Sequence, residues 1–207
     1  MTVPIPMRML HLKRDPRGYP IPAGVLIDKA GVPHFAINEE TTRMRQITQD
    51  RCGICDGTLV DTRWFVGCAR GAFHDAGAYL DPPMHDECAH YALLACPFLA
   101  ARSYSRHLGD KQAHKAAISD NAVFVDQTMI GGRPEIFVAV LAQRTITASE
   151  KRFVKPSRPY LAVEFWRHGE RLADTEGWEI VDRIVAAPLP SLKAPRLVRA
   201  GRNISNG

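Results

Sequence analysis

Two short motifs, Cys52-Gly53-Ile54-Cys55 and His85-Asp86-Glu87-Cys88, constrain this chain more than any other feature. They are a CxxC and an HxxC pair with 29 residues between them. Two ligands three positions apart, on a tight turn or in the first turn of a helix, can reach one ion together, and zinc takes four such ligands in a tetrahedron. The spacing therefore predicts one structural Zn2+ held by Cys52, Cys55, His85 and Cys88. A shell closed by four side chains keeps no position open for water, so the predicted ion supports the fold and activates no substrate.

The segments between and after the pairs suggest how the site is built. "RWFVG" has the aromatic and β-branched content of a strand, and "CARGAFHDAGAYLD" reads as irregular or as a second strand. Asp81 is expected to cap a helix whose first position is Pro82, and Ala89, Leu93 and Cys96 recur at helical spacing until Pro97 stops the run. The partial positive charge of that helix start would help hold Cys88 as thiolate. Knuckle, hairpin, then ligands at a helix start is the order of a treble-clef zinc finger, which residues 51–108 resemble.

Five cysteines cannot all close into disulfides, and their clustering between residues 52 and 96 favours metal. Cys96 reads as a small buried apolar residue. Cys68, beside "WFVG", reads as core, with Cys68 and His74 as substitutes for one of the proposed ligands. His11, His34, His107, His114 and His168 have no partner pattern.

The remaining chain divides by its punctuation. Residues 1–50 are expected to form an irregular lead-in, a hairpin of "GVLID" and "VPHFAI", and a short helix starting at Asn38 and ending near Gln49. Residues 109–190 contain a short helix at "GDKQAHKAAI", β-rich runs at "AVFVDQTMI" and "EIFVAVLAQRTIT", and a strand pair turning at His168-Gly169. An amphipathic helix follows from Asp174 to Ala187, with Trp178, Val181, Ile184 and Val185 assigned to the core. Hairpins dominate the mixed order, which predicts an α+β protein with antiparallel strands.

The net charge is +5, but residues 191–207 carry four basic residues and no acid. That tail is expected to be flexible and solvated, and the cysteine-bearing segment, slightly acidic, does not resemble a phosphate-neutralising surface. No run reaches the length of a membrane helix and the start has no signal-peptide pattern, so a soluble, cytoplasmic protein is expected.

Three catalytic chemistries compete with a structural role. A thioredoxin-like reading of "CGIC" needs a helix starting at the first cysteine, where "DGTL" follows instead. The "HDE" at 85–87 matches part of a zinc deaminase motif, but the CxxC lies on the wrong side of it. The stronger rival is an HNH-like metal-dependent endonuclease built on the treble clef, with His74, Asp75 and His90 as its catalytic set. It lacks an asparagine between those residues, and His90, five positions after His85, turns off the ligand face.

The pieces "RDPRGYPIP", "RCGICDGTL", "PPMHDECAHYALLACPFL" and "VEFWRHGERLADTEGWEIV" occur in an order that is similar to an uncharacterised family of small proteins from bacterial genomes and their phages. The stretch from Asp110 to Val138 departs from that pattern. The resemblance implies that the segments form one unit and that the protein belongs to a phage or mobile-element setting; it implies no activity. The expected function is that of an accessory or regulatory binding protein whose partner is a protein or a nucleic acid.

Overall fold

A computed structural model of the chain describes residues 3–75, 77–102, 133–148 and 153–187. The helix expected at 109–118, the strand expected at 122–130 and the basic tail lie outside the described residues. No helix among the described residues is long and apolar enough to cross a membrane.

The chain opens with a 3-10 turn, Met7–Met9, and then the expected hairpin of β1 (Val25–Ile27) and β2 (Pro33–Asn38), which pair antiparallel. Helix α1 (Glu40–Thr48) follows. Its cap is Glu39, not Asn38: the Glu39 carboxylate accepts from the Thr41 and Thr42 amides at 3.0 and 2.7 Å. Asn38 is still in the strand, and its amide instead donates to Asp81 at 2.8 Å. Strand β3 (Arg63–Cys68) runs into the short helix α2 (Ala69–Phe73), and α3 (Asp86–Ala95) and α4 (Pro97–Ala100) come next. Then come β4 (Phe137–Ala142), the hairpin β5 (Thr145–Ala148) and β6 (Phe153–Pro156), β7 (Ala162–Arg167), β8 (Glu170–Arg171) and helix α5 (Asp174–Ala186).

The centre is a four-stranded antiparallel sheet in the order β3-β4-β7-β8. The segment that bears the CxxC and HxxC pairs and the C-terminal part therefore share one sheet, since β3 of the first pairs along its whole length with β4 of the second. Successive side chains of a strand point to opposite faces, and here each face builds its own core. Trp64, Val66, Phe137, Ala139 and Trp166 face α3 and pack in one core with Cys52, Cys55 and Cys88. Phe65, Val138, Val140 and Phe165 face α2 and α5. Strand β4 is covered on both sides, which is why "FVAVLA" is continuously apolar without alternation.

On the α5 face, Gly177 is required: a Cβ there would lie 2.0 Å from the Phe165 ring. Gly177, Ile180 and Val181 are the buried residues of α5, while Ile184 and Val185 pack at its margin. Trp178 is 42% exposed, yet its ring meets Phe73 and Phe165 at centroid distances of 4.9 and 5.1 Å. It is a lid over the core edge, not a core residue as expected. The turn between β7 and β8 places His168 and Gly169 at φ 56° and 77°, the left-handed pair that a two-residue hairpin requires.

Two expectations for residues 51–108 change. Among the described residues no hairpin stands between the two pairs; after β3 the chain makes α2, and the antiparallel bridge closing back on β3 is Trp64 with Met84. The apolar content of β3 is satisfied by β4 instead of by a local partner. The second helix begins at Asp86 with His85 at its cap, four residues later than the Asp81-Pro82 start expected. Met84 must stay extended to exchange both backbone bonds with Trp64, at 2.9 and 2.8 Å, which delays the helix.

Candidate metal centre

The first pair sits on a tight turn. Cys52 N–H donates to the Gly57 carbonyl at 2.8 Å, and Asp56 N–H donates to the Cys52 carbonyl at 2.9 Å. The turn needs a left-handed residue, supplied by Asp56 at φ 59°, whose carboxylate is gripped by Arg45 and Arg51. Gly57 N–H points at Cys55 Sγ, 3.4 Å away. A Cβ on Gly57 would stand 3.2 Å from His85 Cε1, so the knuckle and the second pair approach here as closely as glycine allows.

The second pair is brought in by Pro82 and Pro83. Gly53 N–H donates to the Pro83 carbonyl at 2.9 Å, and a Cβ on Gly53 would meet the Pro82 carbonyl oxygen at 3.0 Å. His85 caps α3 and Cys88 lies in its first turn, as the spacing requires. Trp64 Nε1 donates to Asp86 at 2.7 Å, which pins the helix start to β3.

The result is one cluster: a ligand atom from each of Cys52, Cys55, His85 and Cys88, all within 4.8 Å of one another. Sulfurs about 2.3 Å from a tetrahedral zinc stand roughly 3.8 Å apart, and the group matches that scale, with Cys55 Sγ 3.3 Å from His85 Nδ1. His85 Nε2 lies 3.0 Å from the Thr58 carbonyl, an acceptor only, so Nε2 carries the proton and the Nδ1 lone pair faces the sulfurs. Cys52 and Cys88 are fully buried.

The electrostatics suit a cation. Hydrogen bonds from the Cys55 and Cys88 thiols hold Cys52 far below the ordinary thiol range. The same crowding, led by Cys52, pushes Cys55 and Cys88 up. The hydrogen bond to Cys52 raises His85. Three sulfurs this close cannot all be thiolates unless positive charge sits between them, and a divalent ion supplies that charge while accepting four lone pairs. The donor set, the burial and the oriented imidazole all fit one metal ion.

The N-terminal segment closes over the centre. The His11 ring lies 3.1 Å from the Cys55 carbonyl, Arg8 pairs with Glu87 at 2.5 Å, and Met9 is buried in the same core. This seal could not be read from the spacing of the ligands, because His11 and Arg8 have no pattern linking them to residues 51–88.

The other candidates are used elsewhere. Cys68 caps α2, its sulfur accepting from Gly71 N–H at 3.4 Å, and Cys96 lies between α3 and α4. Both are half-buried and neither joins the cluster. His74 and Asp75 follow α2, on the α5 side of the sheet, whereas His90 is on α3 on the metal side. His90 Nε2 sits 2.9 Å from Glu164, and Nδ1 sits 2.9 Å from the Asp86 carbonyl. Among the described residues, His74, Asp75 and His90 do not form a metal-ligating group.

Glu164 was not foreseen. It is a buried carboxylate in β7 that meets His90, accepts from Trp166 Nε1 at 3.0 Å and pairs with Arg171 at 3.2 Å. With Trp64 packed edge-on against His90 at 5.1 Å, it fastens α3 to the sheet. The sequence signal was its lone charge inside "AVEFW" at a position whose neighbours two residues away are apolar.

No protein-family model, curated protein or solved structure matches this chain.

Proposed function

We propose that this protein is a phage-encoded accessory or regulatory binding protein organised around one structural zinc ion, acting on a protein or nucleic-acid partner. The observation that carries the reading is the closed set of three thiols and one imidazole, with three of the four residues buried and the imidazole already oriented by Thr58. Such a shell holds metal firmly and offers it no substrate. Zinc is favoured over other ions because a borderline-soft tetrahedral donor set suits it. A knuckle followed by ligands at a helix start is also what a treble clef presents, here with its hairpin reduced to the Trp64–Met84 bridge.

Elemental analysis of never-chelated protein tests the metal; about one zinc per chain is expected, and a metal-free folded chain rejects the reading. Two further measurements separate the partner classes. A nucleic-acid partner gives a gel shift that weakens steeply with salt, and a protein partner co-purifies from a host lysate at constant stoichiometry. If both are blank while the purified protein turns over a nucleic-acid or nucleotide substrate, the binding role is wrong.

A further inference from the structure

Strand β3 is an edge of the sheet, and only part of that edge is covered. Trp64 exchanges both backbone bonds with Met84 on the outer side. In an antiparallel ladder, outward-pointing and inward-pointing residues alternate, so Val66, two positions on, also turns its N–H and C=O away from β4. The residue that would pair with it, continuing the Trp64–Met84 register, is Pro82, which has no N–H to donate. The neighbouring backbone is engaged elsewhere: Tyr79 exchanges its bonds with Val154, and the Leu80 carbonyl accepts from Arg43. Among the described residues, neither backbone group of Val66 has a partner outside the sheet.

That open edge forms a wall of a cavity of about 280 Å³. Leu80 and Asp81 also line it, and Phe35, Tyr91 and Phe137 are among the apolar walls. Its charged groups are already committed, since Arg17 pairs with Asp15 and Asp81 accepts from Asn38. The unmet demand is therefore one backbone donor and one backbone acceptor from a single residue, beside apolar space. An apolar cavity of roughly 150 Å³ holds benzene, so this one has room for a large side chain and its peptide unit.

We infer that the cavity binds an extended peptide segment of a protein partner, which adds to the β3 edge at Val66 and buries one apolar side chain against Tyr91 and Phe137. A residue in extended conformation presents the complementary N–H and C=O pair, as Met84 does for Trp64, and edge addition of this kind is a general mode of peptide capture. The inference rests on the binding-protein reading above and selects a protein as the partner.

The test is a titration of ¹⁵N-labelled, zinc-loaded full-length protein with the blocked peptide acetyl-Leu-Leu-N-methylamide. A second titration uses the same peptide methylated on both leucine nitrogens. A saturable shift of the Val66 amide is expected, with affinity reduced about tenfold or more by methylation, because the donor is lost and a buried acceptor is left unpaired. Ala92→Leu and Ala78→Leu, at two points of the cavity wall, should each abolish the shift while metal content stays unchanged. A flat titration, or equal affinity for the methylated peptide, overturns the inference. Either result leaves the binding-protein reading standing, because that reading fails on metal content and on partner measurements.

Discussion

The two faces of the central sheet are held by different physics. On the α5 face the core is apolar side chains packed around Phe65, Val138, Val140 and Phe165, with α5 pressed close enough that Gly177 cannot be replaced. On the α3 face an apolar core that includes Trp64, Met84, Leu93 and Trp166 is supplemented by side-chain chemistry: four residues that could hold a metal ion, Arg8 with Glu87, Trp64 with Asp86, and the Glu164 cluster. The segment before β3 is mostly loop, so specific cross-links add to the apolar packing in fixing it against the sheet. The open edge of β3 lies at this cross-linked face, where proline and glycine interrupt regular pairing.

The sharpest way to break this contrast is to remove the metal ligands. Cys88→Ser, or a strong chelator, should cost on the order of 10 kcal/mol of apparent stability at the metal face. Hydrogen exchange should show α3 and the knuckle losing protection before α5 does; equal and simultaneous loss would erase the distinction. The converse substitution, Phe165→Ala on the other face, should cost about 3–5 kcal/mol in denaturant unfolding while leaving metal content intact.

Glu164→Ala comes next. It leaves Trp166 Nε1 and the His90 ring without their carboxylate, and a loss of about 2 kcal/mol is expected. The effect should shrink in a Trp166→Phe background, measured as a double-mutant cycle, because one of the stranded donors is then absent.

The smallest effect is at the α1 cap. Burial raises the Glu39 carboxyl, but hydrogen bonds from Thr42 and Thr41 outweigh it and leave the pKa below its ordinary value. A carboxyl depressed in the folded state stabilises fully above its unfolded pKa, and that contribution disappears as pH falls through the folded value. Glu39→Ala should therefore cost about 1 kcal/mol near neutrality, and the gap from the parent protein should close in acid.

The ligand set, the β1–β2 hairpin, the His168-Gly169 turn and the position of α5 were legible because each depends on neighbours a few residues away. Ligand spacing, left-handed turn residues and helical periodicity are local signals. That β3 pairs with β4 and not with a local hairpin partner was not legible, because "RWFVG" is as good a strand for a distant partner as for a nearby one, and β4 is about 70 residues on. The start of α3 was misplaced for a related reason. Asp81-Pro82 has the chemistry of a helix start, but pairing of Met84 with Trp64 overrides it.

By itself the sequence narrowed the candidates for one shared ion to the two spaced pairs, with Cys68 and His74 as substitutes; the structure is what brings Cys52, Cys55, His85 and Cys88 together and leaves those two out. It also determined that the fold mixes helices with antiparallel strands. Only the tertiary structure decided that β4 joins the segment carrying the Cys/His cluster to the C-terminal part, that Glu164 ties α3 to the sheet, and that Val66 lies open beside a cavity. Those outcomes depend on long-range pairing and on two faces of one sheet competing for partners, and no local pattern encodes that competition.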